Sequence, residues 1–237
     1  MKSSGVEYHA KDWARIEKLG LYPSVVSPDG YSGRVLAGMR LAHATLTAMK
    51  DTVPTLSTIK GLHYMTFQGV HPWAGSFRQP GHEVRAGKLV CSLAQDVVGD
   101  LIKLRKDMMD NPLEGTKRYK AEVLAFYHAS LLAIHPFADG NGRVSRIILD
   151  VQTRRLLGHP LSTQLKRDEY IEALGLAQED GKLLPLAKLI SRNDLKHSQS
   201  HKISVVKEVD LSDGLLVSKP RISGDAAFED NRGLKRR

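Results

Sequence analysis

The sequence predicts an all-α fold interrupted by one small β-hairpin. Apolar residues recur at three- and four-residue intervals over most of the 237-residue chain, the period of a helix that buries one face. One irregular stretch, 69–85, breaks that rhythm and holds Pro80-Gly81 between short extended arms. That composition fits a tight turn joining two strands.

The elements follow in order. Positions 35–49 are rich in Leu, Ala and Met and stop ahead of Asp51-Thr52-Val53-Pro54, which predicts a first helix. A second, 56–67, starts after that proline with Ser57 or Thr58 as its cap. The hairpin is expected between Ser76 and Arg85. Leu89, Leu93, Val97, Leu101, Leu104 and Met108 keep helical spacing and predict a helix over 88–109. A long helix over 116–134 follows, and Asn141 or Gly142 opens another that runs to Leu157 and closes at Gly158-His159-Pro160. Helices over 167–177 and 183–191 complete the compact part. Positions 202–223 alternate enough for a further hairpin around 210–214. The chain thus divides into an N-terminal arm (1–34), a helical domain (35–193) and a C-terminal extension (194–237) with a basic end.

Composition narrows the class. With 41% hydrophobic and 26% charged residues the chain reads as globular, and no apolar run approaches the roughly 18 residues that span a bilayer. No apolar segment follows Met1, so no secretory signal is expected, and the single Cys91 fits a reducing compartment. Cytoplasmic residence is the expectation, with export as an effector the alternative. The net charge of +9 invites a nucleic-acid reading. However, the last 44 residues hold nine Lys/Arg against seven Asp/Glu, and no basic run is interleaved with aromatics. A basic surface that favours anions such as ATP is the better account.

The chemistry concentrates in twelve residues, His135-Pro136-Phe137-Ala138-Asp139-Gly140-Asn141-Gly142-Arg143-Val144-Ser145-Arg146. Gly140, Asn141 and Gly142 turn the chain into a helix start, where free N–H groups and the helix dipole make an anion site. Arg143 and Arg146 are three apart on the first turn, so both can reach one polyphosphate. Asp139 at the loop edge is a hard oxygen ligand suited to Mg²⁺. Phe137, apolar in a polar loop, is expected to anchor it into the core. His135 supplies a neutral imidazole able to take a proton from an incoming hydroxyl. By contrast, His128 reads as a packed structural histidine, and His63, His71 and His82 lack zinc-site spacing. Trp73 reads as core packing, Arg40 and Lys60 as solvated helix positions.

These residues resemble the Fic family, whose signature His-x-Phe-x-Asp/Glu-Gly-Asn-Gly-Arg-x-x-Arg is matched without a gap. Leu62-His63, the run from Pro72 to Arg78, and Ala125-Phe126-Tyr127-His128 also look like the family pattern, so the resemblance spans roughly 35–191. It implies an all-α Fic core with a β-hairpin flap beside the active-site loop, and transfer of AMP from ATP to a Ser, Thr or Tyr hydroxyl of a target protein. In that scheme His135 is the base and Asp139 holds Mg²⁺. Gly140, Asn141 and Gly142 bind phosphates, Arg143 and Arg146 meet the departing pyrophosphate, and a flap carrying Ser76, Phe77 and Arg78 docks the target by strand addition. Many relatives carry an inhibitory helix, Ser/Thr-x-x-x-Glu-Gly/Asn. Ser3 and Glu7 match its Ser and Glu, while Tyr8 replaces the small residue. Glu7 is therefore the candidate partner of Arg146, and an antitoxin-like protein takes its place if Glu7 does not serve. The alternatives are removal of AMP from a modified protein, with Glu7 orienting a water, and a basic interaction module without catalysis.

Overall fold

The computed structural model describes residues 31–81, 84–86, 89–111, 113–162 and 166–191. Ser3, Glu7 and the hairpin expected around 210–214 lie outside the described residues. Seven helices and a two-stranded hairpin make up the described part: α1 (Tyr31–Ala48), α2 (Leu56–Phe67), β1 (Arg85–Ala86), β2 (Leu89–Val90), α3 (Val97–Asp110), α4 (Lys117–Ile134), α5 (Asn141–Leu157), α6 (Arg167–Glu179) and α7 (Leu183–Ile190). None of the described helices is long and apolar enough to cross a membrane.

The core is built around α4. Thr116 caps its start by accepting the Tyr119 N–H at 3.2 Å, and residues 121–132 are buried on every face. A helix buried all round must sit inside a shell of others; α3, α5, α6 and α7 supply it. The α1–α2 pair closes the remaining side. Gly38 lets it do so, because a Cβ there would fall 2.3 Å from the Met65 carbonyl oxygen.

Polar contacts then fix α5, the helix that starts at the motif. Asp150, wholly buried, accepts from His43 of α1 at 2.7 Å and from the Leu161 N–H at 2.8 Å. Arg155 at the far end donates to the carbonyls of Leu46, Thr47, Met49 and Asp51, closing the C-terminus of α1. His128 meets Tyr170 of α6 at 2.6 Å inside the core, and burial lowers its pKa to about 3, so it is a neutral packed residue as expected.

Three sequence expectations are corrected here. The helix predicted over 88–109 begins only at Val97, because Leu89 and Val90 pair instead with Ala86 and Arg85 in an antiparallel ladder. A two-residue strand has no periodicity to betray it, and Leu89 and Leu93 happen to extend the spacing of the true helix. The hairpin accordingly lies at 85–90 and not around Pro80-Gly81. The cap of α2 is Thr55, whose hydroxyl accepts the Thr58 N–H at 3.1 Å, and not Ser57 or Thr58.

Candidate active site

The site grows from the end of α4. His135 is the C-cap, and it is the only non-glycine described residue with positive φ (φ 51, ψ 60). That left-handed turn throws the chain out of the helix and is an unusual conformation for a residue with a side chain. It also brings Nδ1 within 3.1 Å of the Leu132 carbonyl. A carbonyl only accepts, so Nδ1 carries the proton and Nε2 is left with its lone pair. Burial is the main influence lowering the His135 pKa; the Leu132 hydrogen bond opposes it, the Arg78 cation adds to it, and Asp139 opposes it more weakly. The neutral imidazole is thereby favoured.

The loop after it is closed internally. Phe137 is 1% exposed, so its ring sits in the core beneath the loop. Its N–H donates to Asn141 Oδ1 at 2.9 Å, and Asn141 Nδ2 donates back to the Phe137 carbonyl at 2.8 Å. The buried Asn141 side chain is committed to the loop, so it reaches an anion only through its main-chain N–H at the helix start. Gly140 caps α5 with φ 82. A Cβ there would lie 2.3 and 2.4 Å from two ring carbons of Phe67, so both torsion and space demand glycine.

The charged members flank this loop. Asp139 is exposed; Oδ1 accepts the Gly140 N–H at 2.6 Å, and no described residue bonds Oδ2. Among the described residues no three His, Cys, Asp or Glu side chains gather as a metal cage. One exposed carboxylate is the kind of hard oxygen ligand that Mg²⁺ would take, with water able to fill the remaining positions. The Arg146 guanidinium lies against the position where a Gly142 Cβ would stand, at 3.1 Å, and Arg143 sits over the Phe67 ring at 5.5 Å. The two cations therefore border the same helix start.

His63 is a residue whose role sequence reasoning missed. It is wholly buried beneath the loop, stacked on Phe137 with ring centroids 3.8 Å apart. Its Nδ1 accepts the Gly75 N–H at 2.8 Å, which leaves Nε2 to donate to the Asp139 carbonyl at 3.1 Å. Burial above all lowers its pKa to about 4, so one neutral tautomer is fixed. The available signal was its place on the helix face shared by Ile59, Leu62, Thr66 and Phe67, which is mostly apolar. Trp73 stacks on His71 at 4.3 Å beside this cluster, and Lys60 reaches over Phe77 at 5.5 Å.

The expected flap residues sit elsewhere. Ser76 is exposed in a turn, with its N–H on the Trp73 carbonyl. Phe77 packs on Phe137 at 5.4 Å between centroids. Arg78, expected to dock a target, is only 4% exposed and donates to the carbonyls of His135 (2.8 Å) and Ile134 (3.2 Å). Carbonyls left over at the end of α4 attract that guanidinium inward, so it is unavailable to a docking strand.

Comparison with known proteins agrees with this geometry. Residues 53–153 match the Fic/DOC family model. A protein adenylyltransferase Fic of Drosophila grimshawi is 30% identical over 161 residues, covering 66% of this chain and 32% of that protein. Its counterpart in Aedes aegypti is 28% identical over 161 residues, covering 65% and 30%. This chain thus spans about a third of the length of those relatives. Among solved structures, the ADP-bound N-terminal Fic domain of a Bartonella quintana effector superimposes with a TM-score of 0.60 at 18% identity, covering 71% of this chain and 86% of that one. A C. elegans Fic-1 fragment gives 0.59 at 19% identity, covering 81% and 63%. Residues 53–153, from α2 through the motif loop into α5, are thereby identified as a Fic domain.

Proposed function

We propose that this protein transfers AMP from ATP to a Ser, Thr or Tyr hydroxyl of a target protein. The observation that carries this reading is the His135 imidazole. Its protonated Nδ1 is held on Leu132, which leaves Nε2 as the basic nitrogen, and the loop that follows leads into a helix start bordered by two arginines. The names of the curated relatives, protein adenylyltransferase Fic, support it.

The steps follow from the residues. The acceptor hydroxyl gives its proton to His135 Nε2 as its oxygen bonds to the α-phosphorus. The bond from that phosphorus to the bridging oxygen breaks, and pyrophosphate leaves. Main-chain N–H groups at Gly140, Asn141 and Gly142 hold the phosphates, and Arg143 and Arg146 meet the charge on the departing group. Asp139 is the residue that would hold Mg²⁺, which when bound screens the charge on the phosphates. The hairpin β1–β2, whose flanking residues Arg78 and Ser92 bond the carbonyls at the end of α4, takes the docking role in place of Ser76, Phe77 and Arg78. Glu7 as an intramolecular restraint on Arg146 rests on sequence spacing, and Glu7→Gly is its test through increased self-labelling.

The experiment is labelling of protein with ATP carrying the tag on either the α- or the γ-phosphate, for wild type and His135→Ala, with and without a chelator. Label from the α-position only, lost in His135→Ala and on chelation, is expected. Transfer of the γ-label would overturn the reading in favour of a kinase.

A further inference from the structure

We infer that Arg78 is a positioning residue that ties both feet of the β1–β2 hairpin to the main chain of His135, a role in catalysis that rests on the transferase reading above. The carbonyls at the end of α4 show how. A helix leaves its last four carbonyls without helical partners, and here each finds one. Leu131 accepts the His135 N–H and Leu132 the His135 Nδ1–H. Ala133 accepts the Ser92 N–H at 3.3 Å, and Ile134 accepts Arg78 Nη2 at 3.2 Å. Beyond the helix, the His135 carbonyl takes Arg78 Nε at 2.8 Å and the Pro136 carbonyl takes the Arg78 N–H at 3.0 Å.

The donors come from the two sides of the hairpin. Arg78 precedes β1 by seven positions and Ser92 follows β2 by two. Arg78 joins the two directly, because its Nη2 also donates to the Ser92 carbonyl. One guanidinium therefore holds the chain entering the hairpin, the chain leaving it, and the peptide on which His135 turns. The left-handed torsions of His135 set where its ring points, so a hydrogen bond to its own carbonyl fixes the direction of Nε2. A lysine could supply the charge at a helix C-terminus, but not the fork that spans three carbonyls. The buried cation also disfavours the imidazolium, secondary to burial, which keeps the base neutral. Hairpin and base are thus built to move as one unit.

The test uses the full chain as wild type, Arg78→Gln and Arg78→Lys, with the folded fraction of each measured by circular dichroism. NMR follows the His135 imidazole through a pH titration, and amide exchange follows 85–90. Arg78→Gln removes the charge, so the His135 midpoint should rise; Arg78→Lys keeps the charge, so the midpoint should stay near wild type. In both, AMP transfer per folded molecule should fall roughly tenfold to a hundredfold with the KM for ATP within about twofold, and hairpin exchange should speed up. Should Arg78→Gln not fold, Arg78→Lys alone decides through transfer and exchange. Transfer per folded molecule within about twofold of wild type in Arg78→Lys, with hairpin exchange unchanged, overturns the inference and leaves Arg78 as a helix cap. If wild type transfers no AMP, the transferase reading fails separately, and His135 titration with hairpin exchange still decides the clamp.

Discussion

Gly140→Ala puts the tightest point of the site under load. The backbone there has φ 82, and forcing an L-residue into the left-handed region costs about 1–2 kcal/mol. The new methyl would also stand 2.3 and 2.4 Å from two carbons of the Phe67 ring, where non-bonded carbons prefer about 3.5–4.0 Å. Phe67 cannot retreat easily: it is wholly buried and already lies against His63 at 4.7 Å between centroids. Overpacking of this kind costs about 1–3 kcal/mol, so the two penalties together come to about 2–5 kcal/mol. For a domain of this size that lowers Tm by about 4–20 °C. Thermal and urea unfolding would be measured for Gly140→Ala, for Phe67→Leu, which trims the ring, and for the double variant. Because the steric part needs both groups, the double variant should be less destabilised than the summed singles by about 1 kcal/mol or more. Strict additivity, or a Tm drop under about 2 °C for Gly140→Ala, would refute the reasoning.

Other outcomes follow from neighbouring contacts. Gly142→Ala should leave unfolding nearly unchanged but weaken ATP binding by calorimetry. Its torsions are ordinary and the nearest atom is the movable Arg146 Nη1 at 3.1 Å; a large stability loss would show that the loop is stiffer than described. His63, with a pKa lowered from 6.5 to about 4, is neutral in the fold and protonates in the unfolded chain first. Stability is therefore complete above about pH 6.5 and falls by up to about 3 kcal/mol as pH drops toward 4; urea midpoints against pH should flatten in His63→Gln. The pH–rate profile should be level at neutral pH and fall on the acid side with a midpoint below about 6.5, the ordinary histidine value, since His135 is shifted downward. A midpoint at or above that value would contradict a neutral base.

The parts of this fold that the sequence made legible are those whose causes are local. Thr116, Leu157 and Gly158 mark the bounds of α4 and α5 because caps and stops act within a turn or two. The twelve-residue motif was legible for the same reason: loop and first helical turn are contiguous, so adjacency in sequence is adjacency in space. His63 and Arg78 escaped because their work is done 76 and 57 residues away, on the carbonyls of Asp139 and His135. A buried histidine bonded to a distant main-chain carbonyl leaves no spacing to read. The hairpin was displaced because Pro80-Gly81 signals a turn without saying what pairs across it, and Phe77 and Arg78 found better partners in the motif loop.

The loop between Phe137 and Asn141 is held by four hydrogen bonds, two from Asn141 and Phe137 to each other, one from Gly140 and one from His63. A phosphate arriving there meets a chain that has already lost its freedom during folding. Ordering a free backbone costs about 1–2 kcal/mol per residue, so five slack residues would take about 5–10 kcal/mol from binding. With that entropy settled in advance, association should resemble a lock rather than a coupled folding event. The loop's rigidity is then a property of the fold itself, and under the proposed transfer reaction affinity for phosphate would be set at Arg143 and Arg146 without refolding anything.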